Sequence, residues 1–207
     1  VYLLIKARSG WVEGTVWSIV SPSFFMGYLL ATFVLIGIIL YCRTSGTSKI
    51  VLIVIYSLLS TMIFAVVLYP GNFGDPFYDM GIGRIILSYG SLKGLIDLRQ
   101  LSIWSVLWLV SEKGLGLLMA VIAKMFAVDV YWVLTFTTPV CWGVFVPFMA
   151  WKITKVLGLE ERVSVLSAFL SAFFVVFVSW GSRSTGNSLG FIPFFVSFYF
   201  SVSYLKS

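Results

Sequence analysis

Long unbroken apolar runs, not alternating apolar and polar positions, set the pattern of this chain. Four runs have the length of a membrane span, roughly 20 residues at 1.5 Å rise each. The first is "SFFMGYLLATFVLIGIILY" (23–41), opened by Ser21-Pro22, a helix-start signal. The second is "IVLIVIYSLLSTMIFAVVLY" (50–69), closed by Pro70-Gly71. A third runs from about Tyr131 to Trp151, and a fourth is "VSVLSAFLSAFFVVFVSW" (163–180). The fourth leads through "GSRSTGNSLG" into a fifth candidate, "FIPFFVSFYFSVSYL" (191–205). Residues 1–20 are semi-polar and read as the end of an earlier element.

Between the second and third runs the pattern changes. "SIWSVLWLV" and "GLGLLMAVIAKMFAV" are apolar but interrupted by Glu112, Lys113 and Gly114. Two helices lying in the membrane interface fit this pattern, apolar face down and charges up. The alternative is one kinked span from Trp104 to Val128. In the interfacial arrangement Trp104, Trp108, Met119 and Trp132 would form an apolar trough for a lipid tail.

Composition turns these runs into a class. The 207 residues are 60% hydrophobic and only 11% charged, against about 25% charged in soluble domains. With a mean hydropathy of +1.03, the expected fold is an all-α polytopic helical membrane protein. A barrel would need alternating strands, which are absent. All of 1–207 reads as one transmembrane domain. Because it begins at Val1 and stops just past an apolar run, it reads as part of a longer chain.

Charge then orients the bundle. The linker "CRTSGTSK" holds Arg43 and Lys49, residues 152–162 hold Lys152, Lys155 and Arg162, and Lys206 follows the last run. Basic loops face the cytoplasm, so residues 71–130 form a long outer loop. Its five basic residues run against that rule, which long loops obey poorly. The net charge of +6 comes from scattered residues without a basic run, which argues for membrane lipid and against nucleic acid. No His is present, so His-based triads and His metal sites are excluded within these residues. Cys42 and Cys141 lack metal-like spacing and read as structural thiols.

Five of the eight acidic residues lie in the outer loop: Asp75, Asp79, Asp97, Glu112 and Asp129. Carboxylates near lipid are costly, so they face water, pair or work. Asp97, Glu112 and Asp129 read as loop solvation. Asp75 stands directly before Pro76, an N-cap and first-turn signature. Asp79 follows one turn later on the same helical face.

"GDPFYDMGIGRIILSYG" resembles the first outer-loop motif of oligosaccharyltransferase catalytic subunits, through Asp75, Pro76, Phe77, Tyr78, Arg84 and Gly90. "SRSTGNSLGFIPFFVSFYF" is similar to their second outer-loop motif, through Ser182, Arg183, Ser184 and Gly186. The order of elements over about residues 50–205 resembles the start of the GT-C membrane glycosyltransferase fold. The resemblance implies transfer of a sugar or oligosaccharide from a polyprenyl-phosphate-type lipid donor to a protein or glycan acceptor. The active loop would lie on the non-cytoplasmic side of a cell or endoplasmic-reticulum-type membrane. It implies Asp75 and Asp79 as catalytic carboxylates, and Arg84, Lys113, Arg183 and Asn187 as substrate-binding groups. Asp75 is also the implied ligand of a divalent cation, magnesium or manganese. Asn187 stands where the family offers a second acid, so such a site would carry one charge fewer. Two other readings stay open: a glycolipid transporter or flippase, and a non-catalytic membrane subunit.

Overall fold

The computed structural model describes residues 21–67, 74–90, 103–174 and 186–206. Every regular element among them is an α-helix: α1 (Pro22–Tyr41), α2 (Gly46–Val67), α3 (Gly74–Tyr89), α4 (Ile103–Phe126), α5 (Val130–Val156), α6 (Glu161–Phe173) and α7 (Gly186–Lys206). Two of them, α1 and α5, are long and apolar enough to cross a membrane. Pro22 occupies the first position of α1, where its missing N–H costs nothing. Asp129 caps α5 by accepting the Tyr131 backbone N–H at 2.8 Å.

Helix α5 is the hub, touching α2, α3, α4, α6 and α7. Side-chain pairs fix the direction of each partner. Thr61 of α2 reaches Pro139 O of α5 at 3.0 Å. A side chain on Gly143 would meet Thr61 Oγ1 at 2.9 Å and Leu58 Cα at 3.0 Å. As α2 advances from Leu58 to Thr61, its contacts move back along α5, so the two run antiparallel. The same argument sets α6 parallel to α2, Gly46 lying against Glu161 and Tyr56 against Phe169 at 6.2 Å. It sets α1 antiparallel to α2 through Tyr28–Ser60 and Thr32–Tyr56. Helix α7 runs parallel to α5: Phe191 meets the Trp142 ring at 5.8 Å, and Lys206 bonds Val156 O at 2.6 Å.

The bundle therefore has two distinct ends. The lower end gathers the C-termini of α1, α5 and α7 with the N-termini of α2 and α6. The upper end gathers the N-termini of α1, α5 and α7, and α3–α4 sits there. Outward faces are apolar all round, with Phe33 67% and Phe200 62% exposed. Contiguous apolar surface of this kind marks contact with protein or membrane.

Inside the α1–α2 seam each hydroxyl proton has an acceptor. Ser60 Oγ donates to Tyr56 O, and Thr32 Oγ1 donates to Tyr28 O. Tyr28 then donates to Ser60 Oγ and Tyr56 to Thr32 Oγ1, both at 2.9 Å. Satisfied hydroxyls fix register between helices whose remaining contacts are non-directional.

Three expectations from the sequence change. The expected break at Glu112, Lys113 and Gly114 does not occur, and α4 is one continuous helix of 24 residues. Close approach instead uses a glycine of α3: a Cβ on Gly83 would meet Gly116 O of α4 at 3.3 Å. Met119 lines no trough; it is fully buried between α4 and α5. Among the described residues the fourth run is helical over Glu161–Phe173, with Phe174 as an extended C-cap; residues 175–180 lie outside them.

Candidate site at the upper end

Three successive turns of α4, at Leu115, Met119 and Ala123, converge on Val130, Val133 and Leu134. Those three belong to the first five residues of α5, so α4 crosses the start of α5 rather than running back along it. The turn between them holds Ala127 at φ 53°, a left-handed conformation that strains a residue with a Cβ. Helix α3 fills the corner. Ile82 and Ile86 pack on Ala120, and a Cβ on Gly83 would meet Val130 Cγ1 at 2.8 Å.

This docking defines which face of α3 turns inward. Positions 75, 79, 82, 83 and 86 follow the three-and-four spacing of one helical face. Asp75 and Asp79 therefore hold register positions in line with Ile82, Gly83 and Ile86, the residues that meet α4 and α5. Their side chains lie outside the described residues. Helix α3 begins at Gly74, so Asp75 and Pro76 fall in its first turn.

Arg84 is nine positions after Asp75, half a turn away on the reverse face. Its Nη2 donates to Asp129 Oδ1 at 3.0 Å, with both side chains about half exposed. The same Oδ1 accepts the Tyr131 N–H. That backbone bond, and then the Arg84 guanidinium, hold the Asp129 carboxyl below the usual carboxylate range. Asp129, expected only to solvate a loop, thus joins α3 to α5. Its sequence signal was available: an Asp directly before an apolar helical run is an N-cap.

The remaining candidates divide by element. Asn187 falls in the first turn of α7, at the upper end, and Lys113 lies midway along α4, their side chains outside the described residues. Arg183 lies wholly outside them. Tryptophans Trp104 and Trp108 belong to α4, again without described side chains, whereas Trp132 stands 45% exposed beside Phe136. Among the described residues no three His, Cys, Asp or Glu side chains cluster as a metal site would require.

The lower end uses its cations differently. Lys49, buried, donates to Ile39 O at 2.8 Å, one of the carbonyls left open at the end of α1. At the end of α5, Ile153, Thr154 and Lys155 carbonyls take the N–H groups of Leu157, Leu159 and Gly158. Lys206 takes the fourth, Val156 O, passing Gly158 at φ 84°. Lys155 pairs with Glu161, which also packs on Gly46. The loops 42–45 and 157–160 thus share one end, where Lys49 and Lys206 serve helix C-termini. No family model, no curated protein and no solved structure matches this chain.

Proposed function

We propose that this chain is a polytopic membrane glycosyltransferase of GT-C type. It moves a sugar or oligosaccharide from a polyprenyl-phosphate-type donor to a protein or glycan acceptor. The observation that carries this reading is the register of α3. It puts positions 75 and 79 on the face that meets α4 and α5, where an acid placed only for solvation has no reason to be. The outward apolar faces and the two span-length helices support membrane embedding. The cation-rich lower end supports a cytoplasmic lower end and an active upper end at the non-cytoplasmic face. A transporter would carry ionisable groups midway along its spans; α1 has none and α5 has only Lys152 and Lys155, in its last two turns.

In this mechanism Asp75 accepts a proton from the acceptor's nucleophilic N–H or O–H. The nucleophile attacks the anomeric carbon, and the bond from that carbon to the phosphate oxygen breaks. The electron pair leaves on the lipid phosphate. Asp79, one turn away, raises the proton affinity of Asp75 through like charge. Lys113 and Arg183 supply positive charge to the phosphate, while Arg84, on the reverse face of α3 from Asp75, holds α3 to α5 through Asp129. Asn187 supplies an amide to the donor. Asp75 and Asp79, as hard oxygen donors, fit a weakly held magnesium or manganese ion, which would neutralise phosphate charge. Asp75→Asn in membranes is expected to abolish transfer from a lipid-linked donor while the protein still accumulates. Wild-type transfer by that variant would remove Asp75 from the mechanism.

A further inference from the structure

Helix α5 is the hub of the bundle, yet it keeps one strip open toward its lower end. Positions 141, 145, 148 and 152 follow four-and-three spacing, so Cys141, Phe145, Phe148 and Lys152 share one helical face. At about 100° per residue, the neighbouring helices fall on either side of it. Trp142 and Val156, on one flank of Lys152, meet Phe191 and Lys206 of α7. Trp151 and Lys155, on the other flank, meet the α1–α2–α6 core and Glu161 of α6. Between the flanks Phe145 and Phe148 stay 42% and 39% exposed.

The strip changes character at Lys152. Its ammonium lies 5.1 Å from the centre of the Trp151 ring and 5.5 Å from that of Phe148. Two rings thus fix where a flexible lysine holds its charge. Among the described residues Lys152 has no carboxylate partner, whereas Lys155 has Glu161. One turn beyond Lys152, Lys206 spends one of its three ammonium donors on the Val156 carbonyl. In this corner Lys152, Lys155, Arg162 and Lys206 outnumber Glu160 and Glu161, which leaves positive charge without a counter-charge.

Length then narrows the occupant. Cys141 to Lys152 is eleven residues, about 16 Å of helix. That is close to half of a hydrocarbon core about 30 Å thick, the depth of one leaflet. An acidic protein segment would satisfy the lysines and leave the phenylalanines bare. An anionic phospholipid covers both parts, and basic groups between helices at the cytoplasmic side suit its head group.

We infer that this strip binds an anionic phospholipid of the lower leaflet. Its phosphate sits on Lys152 and Lys206, and an acyl chain lies along Phe148, Phe145 and Cys141. The lipid wedges between α6 and α7, at the opposite end of the bundle from Asp75. The inference rests on the membrane embedding of the proposed reading and not on its chemistry.

The test is native mass spectrometry of the full chain in detergent, titrated with dioleoylphosphatidylglycerol, dioleoylphosphatidylcholine or glycerol 3-phosphate. Wild type is expected to prefer the phosphatidylglycerol. Lys152→Gln keeps the stem and removes the charge. It is expected to lower phosphatidylglycerol affinity about fivefold and to leave phosphatidylcholine binding unchanged. Lys152→Arg is expected to stay within about twofold of wild type, and Lys124→Gln, on the exposed end of α4, to match it. Asp75→Asn is expected to bind phosphatidylglycerol as wild type does, so a failed site and a failed transfer reading are told apart. Equal affinity of wild type for the two phospholipids would overturn the site. So would equal phosphatidylglycerol affinity in wild type and Lys152→Gln. A full fall in Lys152→Arg as well would overturn it too, because it would report repacking and not charge. Displacement of phosphatidylglycerol by a similar concentration of glycerol 3-phosphate would refute the lipid as occupant.

Discussion

The α1–α2 seam and the α5–α7 seam are built from the same materials and end differently. In the first, two tyrosines, a serine and a threonine pass four protons to four acceptors. In the second, a threonine and a tryptophan are as deeply buried and find none. The first seam is held by directional hydrogen bonds, the second by ring packing and the Lys206–Val156 bond. The two ends of the bundle also differ. At the lower end Lys49 and Lys206 bind helix C-terminal carbonyls and Lys155 pairs with Glu161, whereas the upper end presents N-termini and the half-exposed Arg84–Asp129 pair.

The sharpest way to break the comparison is through its two tight glycine contacts. Gly143→Ala drives a Cβ onto the Leu58 backbone, which cannot turn aside. It is expected to lower the stability of the whole bundle by about 1–3 kcal/mol, read by thermal unfolding in detergent. Gly83→Ala meets Val130 Cγ1 and Gly116 O. It is expected to reduce transfer severalfold by shifting α3, while the main unfolding transition stays in place. Equal unfolding shifts for both would mean that α3–α4 and the bundle are one cooperative unit.

Asp129 gives a smaller effect and sharpens the upper-end account. Asp129→Ala removes the α5 cap and is expected to cost about 1 kcal/mol, whereas Asp129→Asn keeps capping and costs less. The difference between the two variants reports the cap, and that between wild type and Asp129→Asn reports the exposed Arg84 pair. The pH response has a definite sign. The folded pKa of Asp129 is depressed, so its contribution is complete above the ordinary carboxylate value near about 3.9. It is lost as pH falls through the depressed value. Wild type is therefore expected to lose its advantage over Asp129→Asn on acidification, and to keep it unchanged between pH 5 and 8.

The helices were legible because apolar runs of span length have few other folds open to them. The start of α1 at Pro22 follows from a local signal, whereas α5 continues five residues past Trp151, into the loop expected over 152–162. What was hidden depends on contact between distant elements. Gly114 reads as a breaker, yet α4 runs unbroken through it, and Gly83 of α3 leans on the carbonyl of Gly116. Met119 reads as surface until α4 is seen crossing α5. Thr138 reads as one more helical hydroxyl, since no sequence pattern says whether it turns back on its own helix. Arg84 stood out in a motif, yet its Asp129 partner is 45 residues away.

The central claim is that the donor phosphate is handled at the upper end and not at the cation-rich lower end. A photoreactive polyprenyl phosphate, activated in membranes and mapped by mass spectrometry, tests this directly. The account predicts adducts within residues 74–89, competed by unmodified polyprenyl phosphate. Competed adducts confined to residues 148–162, around Lys152, Lys155 and Arg162, would contradict it.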